Sequence, residues 1–532
     1  AAAVFLAKVL SAPEPDTIRW GETALGLAER LQAKDLLIHV CFGAVLYFLP
    51  RGENERLAGL ITQVRFQCSV PALPALPAAT LLATDMLGRM TQAREEEALA
   101  LATQGLQLVR QSGVTLFEAF FLGYSAACAM NTGDLEAAER FLDSMAKASL
   151  ATRRWDRSLY CFLSARLSLL RGAYADAERW VRQVLDREED EGPLGTLCLS
   201  LVGAAQIAFC LGWREQAEER LAQARVLARQ YQFTLAEWAA AMAQAYWALA
   251  EGDRDSCRAV LKPALALGRR NMLYVTLVDV PAQLAEVCVA ALEEGMEVPY
   301  VQRLVRQRRL LPSRPPLHVQ NWPWRYRIFT LGVFAVQRNE REMRFGGKAP
   351  QQTLNVLKAL IACGREQVPC HLLSDLLWEE APGDAAHNAL KTQVHRLRRL
   401  LGDPKVLTWQ GKRLSLDPSL VWVDVEALSS IFERFGSGEL ALAPTDVVRL
   451  VLDLYKGPFL PEVEESWVLE PRRRIAALFS RIVTALGRRL EEAGQWMEAL
   501  FLYSQAQERE ANGGRWDKRI EYVRGKLNGG AL

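Results

Sequence analysis

The chain has 532 residues, 50% of them hydrophobic and 24% charged, with a formal net charge of +2. That length is too great for one hydrophobic core and predicts about three or four domains. The composition excludes a fibrous or disordered chain, and no run of about 18 uncharged apolar residues offers a membrane span.

The 10 Cys are scattered without a Cys-x-x-Cys pair, and Cys161, Cys210 and Cys288 fall within helical apolar faces. Cysteine used as a small hydrophobe fits a reduced, cytoplasmic compartment. The chain opens at Ala1 without Met, and its first residues lack the basic start of a secretory signal, so it reads as a piece of a longer protein. Charge is uneven. Residues 301–321 hold Arg303, Arg306, Arg308, Arg309 and Arg314 and no acid. Residues 322–425 hold 15 Lys or Arg against 10 Asp or Glu, which leaves the remainder of the chain at −8. A basic middle in an otherwise acidic chain points to a segment that meets a polyanion.

Residues 1–302 carry an internal repeat. Gly133, Gly172, Gly212 and Gly252 are 39, 40 and 40 residues apart, and each is followed five positions later by a small residue: Ala138, Ala177, Ala217 and Cys257. Ala93 with Ala98 keeps the register without the glycine, and Gly52 with Leu57 is a weaker copy. Glycine permits the turn after one helix, and the small residue lets the next helix pack closely. Such units bury their apolar faces only by stacking, so the pattern predicts a helical solenoid acting as a sensor or interaction arm. Its Trp180, Trp213, Trp238 and Trp247 are expected to pack between helices.

Residues 303–324 read as a linker, with a solvated Arg-rich lead-in and Pro312, Pro315, Pro316 and Pro323 stopping any helix. From 325 to 425 the pattern changes. Residues 326–336 are β-branched and aromatic and predict a strand, Asn339 and Glu340 a turn, residues 342–345 a return strand, and Gly346 and Gly347 its end. Helices are predicted over 350–363, 371–379 and 384–401, the last with Asp384 as N-cap and Gly402 as C-cap. Residues 405–409 and 412–416 flank Gln410 and Gly411 as a hairpin. From 426 to 532 the chain reads as helical, with Gly494 and Ala499 repeating the spacing of the arm.

The helix over 384–401 carries the functional expectation. Leu390, Val394, Leu397 and Leu401 form its apolar stripe. Asn388, Thr392, His395 and Arg399 lie opposite, flanked by Lys391 and Arg396. Arg can take guanine bidentately, Asn can take adenine, and the cations attract phosphates. Lys412 and Arg413 near the hairpin tip complete the set as a wing reaching the next groove.

These residues carry resemblances. The 40-residue helical units resemble the tetratricopeptide-like repeats of regulators similar to the maltose-regulon activator. The strand set, Leu376-Leu377-Trp378, residues 397–402 and the closing hairpin resemble the winged helix of OmpR/PhoB-type response regulators, with Lys412 and Arg413 where that family usually has Gly-Tyr. Residues 454–460, Trp467 and Arg472, Arg473 and Arg474 resemble the bacterial transcriptional activator domain. Together the last two are similar to the Streptomyces antibiotic regulatory protein type of activator. The resemblance implies a bacterial, nucleoid-associated protein that binds double-stranded promoter DNA, recruits RNA polymerase, self-associates and takes an effector or protein on its repeats. It also implies packing roles for Tyr455, Phe459 and Trp467.

No nucleophile elbow, zinc-protease helix or paired-carboxylate motif stands out, so no enzyme activity, metal or cofactor is expected. Cys363, Cys370, His371, His387 and His395 match no zinc spacing, and Gly346-Gly347-Lys348 lacks the first glycine of a phosphate loop. The expected fold class is mostly α: a helical solenoid, a winged helix-turn-helix domain with small β-sheets, and a C-terminal helical-repeat domain. The rival reading is a repeat scaffold that uses its winged helix as a protein contact.

Overall fold

In a computed structural model, residues 2–11, 16–149, 154–191, 194–345, 351–438, 442–510 and 513–529 are described. Gly346, Gly347 and Lys348 lie outside them. The chain divides into two compact units, Ala1–Arg314 and Pro315–Leu532.

The first unit is all helical. After α1 (Ala2–Ser11) and α2 (Thr17–Arg30) come the pairs α3 (Lys34–Arg51) with α4 (Asn54–Gln67), α5 (Ala75–Thr91) with α6 (Glu95–Ser112), and α7 (Glu118–Thr132) with α8 (Leu135–Ser149). Then follow α9 (Arg154–Leu170) with α10 (Tyr174–Glu191), α11 (Leu194–Cys210) with α12 (Arg214–Tyr231), α13 (Thr234–Ala250) with α14 (Arg254–Asn271), and α15 (Pro281–Glu293) with α16 (Val298–Arg308). Neighbouring pairs stack into the expected solenoid.

The repeat signal has a direct geometric cause. Gly133, Gly172, Gly212 and Gly252 all take left-handed φ, between 75° and 81°. The residue after each closes a six-residue turn, as Asp134 N donates to Ala129 O at 2.9 Å and Trp213 N to Ala208 O at 2.9 Å. This is the Schellman ending, which satisfies helix carbonyls that would otherwise be orphaned. Ala138, Ala177 and Ala217 are fully buried and Cys257 nearly so, because the returning helix crosses its partner there. Ala93 adopts the same conformation at φ 53° despite its Cβ.

The solenoid curves far enough to meet itself. Asn54 Nδ2 donates to Met272 O at 3.0 Å, and the Arg51 guanidinium lies 5.4 Å from the Phe233 ring centre. Trp238 and Trp247 are buried between helices, Trp247 stacking on Phe209 at 4.9 Å. Trp180 is half-buried against Tyr160. Trp213 departs from expectation: its ring is 44% exposed, since it sits beside the turn glycine on the outer edge.

The boundary between the two units falls within residues 303–324, which are partly buried rather than wholly solvated. Arg303, Arg306, Arg309 and Arg314 are exposed, but α16 continues through Arg308, which is buried. Arg308 Nη2 meets Asp279 Oδ2 at 2.5 Å, and Arg308 Nη1 donates to Tyr274 O at 2.9 Å. In the second unit, Val319, Trp322 and Trp324 are buried, and Trp422 Nε1 donates to Leu317 O at 2.8 Å. The helix ends on Arg309, left-handed at φ 49°, with Leu310 N donating to Val305 O, before the first proline of this stretch is reached, and apolar residues among the prolines still bury.

The second unit runs β1 (Tyr326–Phe329), β2 (Ala335–Arg338), β3 (Arg341–Glu342), α17 (Gln351–Ala362), β4 (Val368–Pro369), α18 (Cys370–Leu377), α19 (Gly383–Leu401), β5 (Leu407–Gln410), β6 (Arg413–Leu416) and β7 (Val421–Val423). The helices α20 (Asp424–Ser437), α21 (Pro444–Leu454), α22 (Leu469–Glu492), α23 (Trp496–Arg509) and α24 (Asp517–Gly529) complete it. One sheet has the order β3-β2-β1-β7 and the other β4-β6-β5. The continuous strand expected over 326–336 is instead a hairpin, β1 pairing antiparallel with β2. The break arises because Thr330 N and Leu331 N donate to the Asp424 carboxylate rather than to a strand, and Gly332 turns at φ 94°. β7, parallel to β1, was not foreseen. Tyr455 and Phe459 are buried and Trp467 nearly so, and Tyr455 stacks on Phe479 at 3.8 Å.

Candidate nucleic-acid interface

Helix α19 is set by its ends and its stripe. Pro382, extended at φ −54° and ψ 143°, occupies the N-cap, and the helix begins at Gly383. The expected cap, Asp384, therefore falls inside the first turn, where a carboxylate complements the free N–H groups without capping them. Gly402 takes φ 73° and ends the helix as expected. Ala386, Leu390, Gln393, Val394, Leu397 and Leu401 are buried. Thr353 Oγ1 donates to Gln393 Oε1 at 2.6 Å, pinning α19 to α17 through a satisfied buried polar pair.

The predicted reading residues occupy the other side. Asn388, Lys391, Thr392, His395, Arg396 and Arg399 are all exposed. At about 100° per residue, Asn388, Thr392, His395 and Arg399 fall within an arc of roughly 60°, with Lys391 and Arg396 on opposite flanks. Thr392 Oγ1 donates to Asn388 O at 3.0 Å, so its hydroxyl hydrogen is already used. Among the described residues, Lys391, Arg396, Arg399 and Lys412 form no ion pair, in contrast to Arg325, which meets Asp403 at 2.7 Å. Unpaired cations on a rigid helix are free to meet an external anion without breaking an internal contact.

The hairpin closes beside this helix. β5 and β6 pair from Leu407–Leu416 to Gln410–Arg413, and Gly411 at φ 59° makes the tip. Lys412 is exposed there, and its carbonyl accepts from Cys370 N at 2.8 Å. Arg413 is exposed but partly committed, since its Nη1 donates to Gln367 O at 2.7 Å. Arg398, between the stripe and the surface, donates from Nη2 to Leu407 O at 2.8 Å. The His387 and Trp409 rings meet edge to face at 6.0 Å. Sequence reasoning did not single out Trp409. The alternation of β5 could have, since Trp409 shares its face with buried Leu407.

The structure thus brings the predicted residues to one helix face and one adjoining hairpin. Among the described residues, no group of three or more His, Cys, Asp or Glu that could hold a metal lies together, and no helix is long and apolar enough to cross a membrane.

No family model matches the chain, and no curated protein does. Among solved structures, it is similar to a Rap protein crystallised in complex with competence and sporulation factor. The identity is 10% and the TM-score 0.36, over 92% of this chain and 99% of that one.

Proposed function

We propose that this chain is a sequence-specific DNA-binding transcriptional activator of bacterial cytoplasm, with α19 reading the major groove and the β5–β6 hairpin acting as a wing. The observation that carries the reading is the exposed stripe of Asn388, Thr392, His395 and Arg399, flanked by unpaired Lys391 and Arg396 and adjoined by Lys412 and Arg413. That set supplies both kinds of contact a specific interface needs: donors and acceptors for base edges, and cations for phosphates. On this reading the C-terminal helices contact RNA polymerase or a second protomer on promoter DNA. The solenoid takes the controlling effector or partner protein.

The test is selection from a random duplex pool by the full chain at near-physiological salt, repeated with Arg396→Ala and Arg399→Ala combined. A recovered motif that the double variant loses supports the activator. Weak binding, indifferent to sequence and to the substitutions, would favour a repeat scaffold whose winged helix meets protein.

A further inference from the structure

The hairpin is two strands of the sheet β4-β6-β5: β4 and the Cys370 N–Lys412 O bond hold its β6 side, which leaves β5 as the edge beside α19. A wing contributes to binding only if its tip is already aimed when the helix docks. What fixes the β5 side against the helix must act near both ends of that contact.

Two contacts do this. At about 100° per residue, His387, Val394 and Arg398 lie along one edge of α19, roughly a quarter turn from the reading stripe. Near the C-terminal end of that edge, Arg398 holds β5 through Leu407 O. Near the N-terminal end, the His387 ring meets the Trp409 ring edge to face, at 72° between planes. Trp409 is also bound to the tip itself, since its Nε1 donates to Gly411 O at 2.9 Å. It stands opposite buried Leu414 in the register, so its ring is directed to the helix side of the ribbon. One side chain therefore joins the first turns of the reading helix to the turn that presents Lys412.

We infer that Trp409 is the positioning residue of the wing: braced on His387 and hydrogen-bonded to Gly411, it sets where Lys412 meets the nucleic-acid backbone. This rests on the DNA-binding reading above. Trp409 itself need not touch DNA. Its indole supplies both an apolar edge for the imidazole and an N–H for the carbonyl, a pair of contacts that Phe reproduces only in part.

The experiment is a double-mutant cycle in the full chain, read on the selected duplex as affinity and as its dependence on salt. In the wild-type background, Lys412→Ala removes one phosphate contact and lowers the salt slope by about one. In a Trp409→Ala background, Lys412→Ala is expected to cost less in both slope and affinity than it does in the wild type, while Arg399→Ala keeps its full cost. Trp409→Phe restores part of the Lys412 effect, and His387→Ala reproduces part of the Trp409→Ala loss. Equal Lys412 effects in both backgrounds overturn the inference. Backbone hydrogen exchange gives a readout without DNA. Trp409→Ala is expected to speed exchange at residues 407–416 and leave 390–401 unchanged. Unchanged exchange in the hairpin overturns the positioning role whatever the duplex data show. Faster exchange in a protein that binds no duplex leaves the positioning role standing and overturns the DNA reading.

Discussion

Thr330 and Asp424 lock the start of the C-terminal helices to the first strand of the winged helix. Thr330 Oγ1 donates to Asp424 Oδ1 at 2.6 Å, and Thr330 N donates to Oδ2 at 2.6 Å, with Leu331 N sharing that oxygen at 2.8 Å. Both residues are buried. Asp424→Ala leaves two buried amides without acceptors, each costing about 1–3 kcal/mol. Amide exchange at Thr330 and Leu331 should then quicken by at least an order of magnitude. Asp424→Asn keeps one acceptor oxygen and should fall between.

Glu426, two residues on, gives a pH dependence with a definite sign. Burial pushes its carboxyl up to about 7, against the pull of Arg365, whose Nε lies 2.6 Å away. A carboxyl that binds its proton more tightly folded than unfolded contributes stability that is full below its ordinary value of 4.5 and is lost as pH rises through about 7. The second unit should therefore melt a few degrees lower at pH 8 than at pH 5, a loss of up to about 3 kcal/mol. Glu426→Gln should reduce that slope in a calorimetric pH series, and the buried Asp424 carboxyl, itself raised to about 6, keeps the remainder.

In the arm, the turn glycines and the small residues after them should fail for different reasons. A Cβ on Gly212 would meet nothing within 4 Å, yet its φ is 79°. Gly212→Ala should thus cost only the backbone preference, about 1 kcal/mol. Ala217 is fully buried, so Ala217→Leu must displace neighbours and should cost about 1–3 kcal/mol. Urea unfolding followed on the first unit's helices would separate the two, and equal losses would contradict this account of the repeat.

Asp279 is held below the usual carboxylate range. Burial opposes this, but the Arg308 and Arg166 guanidiniums outweigh it. Arg166 Nη2 donates to Asn131 Oδ1 at 2.7 Å and lies 3.7 Å from Asp279 Oδ1. Removing the carboxylate with Asp279→Ala strands two buried cations, and breaking a buried pair this way costs about 3–5 kcal/mol. The first unit should lose most of its resistance to denaturant, whereas the second unit's melting should not move.

Much of this protein is written in its sequence because the signals are local. Left-handed turns need glycine, so Gly133, Gly172, Gly212 and Gly252 printed the repeat at a fixed period. Buried and exposed faces of α19 alternate with the helical turn, so the stripe through Leu390 and the stripe through Asn388 could be told apart without coordinates. What lay beyond the sequence was the choice of partners across distance. Nothing local says that Asp424 will take the amides of Thr330 and Leu331 and so break one long strand into a hairpin. Nothing local brings Arg308 from a basic stretch into the interior against Asp279, or the Trp409 ring against His387. Composition gives each residue's preference for water or for burial; only the closed fold decides which donor finds which acceptor, because that pairing depends on chain segments whose separation in space the sequence does not encode locally.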